Sequence, residues 1–93
     1  MEKEITERIA ELFKAFGDPT RVQILSLLAQ QERCVGDIAE AIELSQSAVS
    51  HQLRILKQMH LIKCHRDGKN VLYSQADDHV STILQLGLEH VME

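Results

Sequence analysis

Ninety-three residues, 44% of them hydrophobic but only one Tyr and two Phe among them, describe a single domain, 1–93, with a core small enough that pairing with a second copy is expected. No stretch approaches the roughly 18 to 20 consecutive apolar residues of a membrane span, and the opening "MEKEITERIAELFKAF" is charged throughout, unlike a signal peptide, so a soluble, cytoplasmic chain is expected. The net charge of -4 argues against nucleic acid only if it is spread evenly, and two cysteines, Cys34 and Cys64, read as free thiols in such a chain.

Ile5, Ile9, Leu12, Phe13 and Phe16 recur at helical spacing and predict a first amphipathic helix over residues 4–16. The following "GDP" stops it. Asp18 can cap a second helix with Pro19 at its first position, where the missing N–H costs nothing, and Val22, Leu25 and Leu28 supply its buried face as far as Ala29.

After "QQER" come a short helix, 35–42, and a longer one, 46–59, separated only by Glu43, Leu44 and Ser45. Helices joined by so short a turn cross steeply, which is the helix-turn-helix arrangement. Ser45 can cap the second of them, and Val49, Leu53 and Leu56 face inward. The opposite face presents Gln46, Ser47, Ser50, His51, Arg54 and Lys57, side chains of the kind that reach base edges and phosphates.

Two short strands, 61–66 and 70–75, then flank Asp67 and Gly68, a strong two-residue turn signal, and place Arg66, Lys69 and Asn70 at a hairpin tip. The fold class is therefore mainly α with a β-hairpin wing, a winged helix-turn-helix. Charge follows the same division: residues 45–75 carry five basic side chains against one acidic, whereas 1–44 and 76–93 each sum to -4. A local phosphate-facing surface has that pattern.

The closing run "ADDHVSTILQLGLEHVME" is an apolar helix with Asp77 and His79 at its start and His90 and Glu93 at its end. At 1.5 Å per residue the two pairs lie roughly 16 Å apart, too far for one ion. An antiparallel copy of the same helix resolves this, because a two-fold axis near Leu84 and Gln85 sets Asp77 against Glu93 and His79 against His90. His79, Ile83, Leu86, His90 and Glu93 form one stripe for a partner, and Val80, Leu84, Gly87 and Val91 form a second for the chain's own body. Two imidazoles and two carboxylates suit tetrahedral Zn²⁺ or Co²⁺ and, lacking thiolates, disfavour softer ions.

These residues, above all "FGDPTRVQILSLL", "LSQSAVSHQLRILK", "RDGKNVLY" and the closing "DDHVSTILQLGLEHVME", resemble the ArsR/SmtB family of winged-helix metal-sensing repressors, in its zinc-sensing branch. The resemblance implies a homodimer that binds double-stranded operator DNA without metal and releases it when metal binds, and it implies no enzyme activity. Some relatives carry a second site on a cysteine pair at the start of the third helix. Here Cys34 is followed by Gly36 at the second position of that pair, and residues 1–33 hold neither Cys nor His, so a thiolate-rich site is not expected. Glu43 departs from the Gly that many helix-turn-helix proteins place in the turn; a left-handed conformation there would cost about 1 kcal/mol. Two other readings are a winged-helix regulator sensing thiol oxidation through Cys34 or Cys64, which leaves the terminal ligands unexplained, and a metal-dependent hydrolase, for which four protein ligands leave no open position.

Overall fold

The structure, a computed structural model describing residues 1–93, contains five helices and one hairpin: α1 Lys3–Ala15, α2 Pro19–Gln30, α3 Val35–Ile42, α4 Gln46–Gln58, β1 Ile62–Asp67, β2 Asn70–Gln75 and α5 Asp78–Val91. Each predicted element is present: 35–42 and 70–75 coincide with α3 and β2, and the ends of the others are displaced by at most two residues. None of the helices is long and apolar enough to cross a membrane.

Local chemistry starts the helices where the sequence suggests. The Asp18 carboxylate accepts the Arg21 N–H at 3.0 Å with Pro19 at the first helical position, and the Ser45 hydroxyl accepts the Ala48 N–H at 3.0 Å. Asp77 caps α5 by accepting the His79 N–H at 2.9 Å. Both helices of the helix-turn-helix end with a non-glycine residue in the left-handed region, Glu43 (φ 57°) after α3 and His60 (φ 60°) after α4. In each case the next residue closes the end: Leu44 N–H donates to Ala39 O at 3.1 Å, and Leu61 N–H donates to Leu56 O at 3.0 Å.

The wing differs in detail from its expected form. Asp67 pairs with Asn70, so the two turn residues are Gly68 and Lys69 and not Asp67 and Gly68. Only the first of them, Gly68 (φ 64°), has positive φ, the type II′ pattern in which glycine takes the first turn position. The hairpin is fastened to the body at its base. Arg33 and Tyr73 exchange backbone hydrogen bonds of 3.0 and 2.8 Å, the Gln75 amide donates to Leu25 O at 2.8 Å, and Ala76 N–H donates to Leu61 O at 2.9 Å.

Twelve residues are buried and none is polar: Ala15 from α1, Ile24, Leu25 and Leu28 from α2, Ile38 and Ala39 from α3, Val49, Leu53 and Leu56 from α4, then Leu61, Ile62 and Val80. Ile24 takes the place expected for Val22, which is only half-buried at the edge of a groove. This core covers little of the first and last helices. Ile5, Ile9 and Phe13 of α1 and Leu86, Leu88 and Val91 of α5 stay exposed, and the Cα radius of gyration of 13.8 Å exceeds the roughly 12 Å of a compact chain of this length. Val80 and Leu84 of the inner stripe pack on the core as expected, but Gly87 and Val91 do not, because the last turns of α5 run past the body.

The strain at Glu43 predicts that Glu43→Gly stabilises the fold. Relief of the left-handed penalty, less the entropy that glycine adds to the unfolded chain, leaves a gain of about 0.5 kcal/mol. Thermal unfolding at fixed protein concentration should show a midpoint about 3 °C higher; an unchanged or lower midpoint would mean that the Glu43 side chain compensates for its backbone.

Candidate nucleic-acid interface and metal half-sites

α4 rests on the core through Val49, Leu53 and Leu56, and this fixes which side of it meets solvent. Gln46, Ser47, Ser50, His51, Arg54 and Lys57 are all exposed. The steep turn at Glu43, Leu44 and Ser45 sets α4 across α3 and leaves the amino-terminal end of α4, with Gln46 and Ser47, uncovered. Arg66 and Lys69 lie in and beside the wing turn, also exposed. The cations of helix and wing therefore come from one stretch of chain, residues 45–75, that holds one acidic side chain, Asp67.

Lys57 joins these two elements. Its ammonium donates to the Cys64 Sγ of β1 at 3.3 Å, so Cys64 is a half-buried, contacted thiol and not the buried packing residue that its strand position suggests. His65 lies with its Nδ1 3.7 Å from Glu32 Oε2, an approach that only the folded wing creates. Cys34 sits half-buried just before α3 and caps nothing with its side chain.

α5 presents two histidine–carboxylate pairs, one at each end. His79 Nδ1 lies 3.4 Å from Asp77 Oδ1, and His90 Nδ1 lies 3.7 Å from Glu93 Oε2. Both imidazoles are almost fully exposed, at 89% and 86%. No group of three or more His, Cys, Asp or Glu side chains comes together within the chain. The two pairs stand apart, one at each end of α5.

Between the pairs lies an open apolar groove of about 910 Å³, walled by Phe13 and Phe16 of the first helix region, Val22 and Ala29 of α2, and Leu84 and Leu88 of α5, with His90 at its rim. The exposed Leu86 is part of the same wall.

Sequence reasoning did not find Arg21 and Gln52. The Arg21 guanidinium donates to Ala15 O (2.8 Å), Lys14 O (3.1 Å) and Gln52 Oε1 (3.4 Å), contacts that span up to thirty-one positions and leave no periodic trace.

Residues 18–63 match the model of bacterial regulatory proteins of the arsR family. The chain is similar to a transcriptional repressor SmtB homolog of Synechocystis, 46% identical over 93 residues, which span all of this chain and 70% of that protein. A cadmium resistance transcriptional regulatory protein CadC homolog of Staphylococcus aureus is 41% identical over 86 residues, 91% of this chain and 71% of that one. Among solved structures, the homodimeric winged helix-turn-helix DNA-binding domain of a possible ArsR-family regulator from Mycobacterium bovis superposes with a TM-score of 0.89 at 32% identity, covering 97% of this chain and 83% of that one.

Proposed function

Because this chain belongs to the ArsR family of bacterial regulatory proteins, we propose that it is a metal-responsive transcriptional repressor, binding operator DNA as a homodimer and releasing it when Zn²⁺ or Co²⁺ is held between the C-terminal helices of the two subunits. The protein is a DNA-binding regulator and not an enzyme. The observation that carries the metal reading is the pairing on α5: a histidine and a carboxylate at each end, within 4 Å of one another, separated by an exposed apolar stripe.

The homodimer is supported by the uncovered apolar surface of α1 and α5 and by the homodimeric relative. Antiparallel apposition of two α5 helices buries Leu86 and brings Asp77 and His79 of one subunit opposite His90 and Glu93 of the partner subunit. That donor set, two neutral nitrogens and two carboxylate oxygens, fits a tetrahedral borderline ion, and a bound ion supplies a cross-link between the subunits. The cadmium-resistance relative supports metal as the class of signal.

On the DNA side, α4 is the recognition helix in the major groove, with Gln46, Ser47, Ser50 and His51 near base edges. Arg54, Lys57, Arg66 and Lys69 hold phosphates on either side. Two recognition helices in one dimer read half-sites about one helical turn apart, roughly 34 Å, or a multiple of it. Asp77 and His79 tied to His90 and Glu93 of the partner subunit favour one orientation of the protomers, and the operator favours another. DNA must then weaken Zn²⁺ binding by the same factor by which Zn²⁺ weakens DNA binding.

Three variants test the parts separately. Lys69→Ala weakens binding to every DNA sequence alike and flattens the logarithmic salt dependence by roughly 1 for one lost phosphate contact; an unchanged slope removes the wing from the interface. Leu86→Glu, which puts a charge into the apolar seam, yields monomers by sedimentation that no longer hold operator, and a persisting dimer rules out the antiparallel seam. His90→Ala breaks both metal sites at once and leaves the DNA face untouched. A mobility shift should show wild-type operator affinity without metal and most of the Zn²⁺ response gone, whereas release at the wild-type Zn²⁺ concentration would move the sensing site elsewhere, with Cys34 and Asp37 the next place to look.

A further inference from the structure

We propose that Arg21 and Gln52 form the polar link through which the position of α1 reaches the recognition helix, making Gln52 a positioning residue for DNA readout and not a contact to DNA. The inference deepens the DNA-binding reading above and rests on it for its consequence. Its geometry stands alone.

α1 is held loosely. It packs extensively against no single element, and its apolar anchorage is confined to its carboxyl-terminal end, where Leu12, Ala15 and Phe16 meet the core. The last carbonyls of a helix have no partner within it and carry its negative dipole end. Two of them, Lys14 O and Ala15 O, accept from the Arg21 Nη2 and Nε of one planar guanidinium. A third nitrogen of that plane, Nη1, donates to Gln52 Oε1 of α4. Guanidinium rigidity makes the three acceptors members of one unit, so α1 cannot tilt without drawing on Gln52 or breaking with it. Arg21 is itself fixed at the start of α2, where Asp18 accepts its backbone N–H.

No other side-chain hydrogen bond connects α4 to α1 or α2; the remaining one from α4 runs from Lys57 to the wing. Gln52 is half-buried, away from the exposed face that carries His51 and Arg54. A half-buried amide at that point is costly without a partner, which gives the sequence a reason to hold Gln there only while Arg21 answers it. The same apolar stripe leaves Ile5, Ile9 and Phe13 exposed, the surface that the proposed second subunit would cover. A change in subunit orientation thus enters at Phe13, passes along α1 to its terminal carbonyls, and leaves through Arg21 at the middle of α4.

Gln52→Met removes the acceptor at similar length, and Arg21→Lys keeps the charge but loses the fork. In metal-free protein, Gln52→Met should lower affinity for a palindromic operator selected from random duplexes about threefold to tenfold, with affinity for unrelated duplex and the thermal midpoint near wild type. The double variant should be no weaker than Arg21→Lys alone, since the link is already broken. Additive losses, or an equal loss on unrelated DNA, would mean that Gln52 meets DNA directly and would overturn the proposal. A readout without DNA decides the link itself: Gln52→Met should move the amide resonances of Ala15, Phe16 and Gly17 in the wild-type background and leave them in place in the Arg21→Lys background. Resonances that stay put in both backgrounds refute the link whatever the protein binds. If they move as described but wild-type protein selects no operator, the functional reading fails and the link remains.

Discussion

Twelve apolar side chains close the core, and the scarcity of apolar material decides the rest of the structure. Val49, Leu53 and Leu56 take α4 fully into that core, so its polar face is held at a fixed angle to solvent. α3 and the base of the wing are secured in the same way through Ile38, Ala39 and Ile62. Nothing is left to cover Ile9, Phe13, Leu86 or Val91, and the two helices at the chain ends keep unburied apolar surface that a subunit interface would remove from water.

The rigid and the loosely held parts are joined at few points. α2 sits between them, with Leu25 beneath the wing through the Gln75 amide and Arg21 beneath the end of α1. Asp18 and Pro19 matter beyond starting that helix: they fix the first turn and so place the Arg21 backbone. The hairpin is secured likewise at its base, by Arg33 and Tyr73, leaving its tip to project with Arg66 and Lys69. The proposed release of DNA would be served by such a division, with stiff readers and adjustable supports.

Much of this was legible in the residues because the signals were local or periodic. Capping by Asp18 and Ser45, the inward triad of α4, its polar face, and the two histidine–carboxylate pairs of α5 all follow from spacing within one helix. Glu43 could be marked because it stands where many helix-turn-helix proteins place Gly, and the structure holds it left-handed; His60, in the same conformation after α4, could not, because a histidine gives no sign that the chain turns there. The turn shifted by one residue since Gly68 can serve either turn position, and strand pairing, not local propensity, chooses between them. Long-range polar contacts were the blind spot. Lys57 with Cys64, His65 with Glu32, and Arg21 with Gln52 join residues of different elements whose proximity exists only once those elements pack, and periodicity within one element does not encode it.

The hairpin has one further consequence. β1 pairs only with β2, so its outer edge offers unpaired N–H and C=O groups, an arrangement that invites a strand from another molecule to add on and begin an aggregate. Lys63, His65 and Arg66 on that strand, and its length of six residues, work against this. The positive charge proposed to hold phosphate at the wing thus also keeps molecules from zipping edge to edge, and a substitution that neutralised it would endanger solubility.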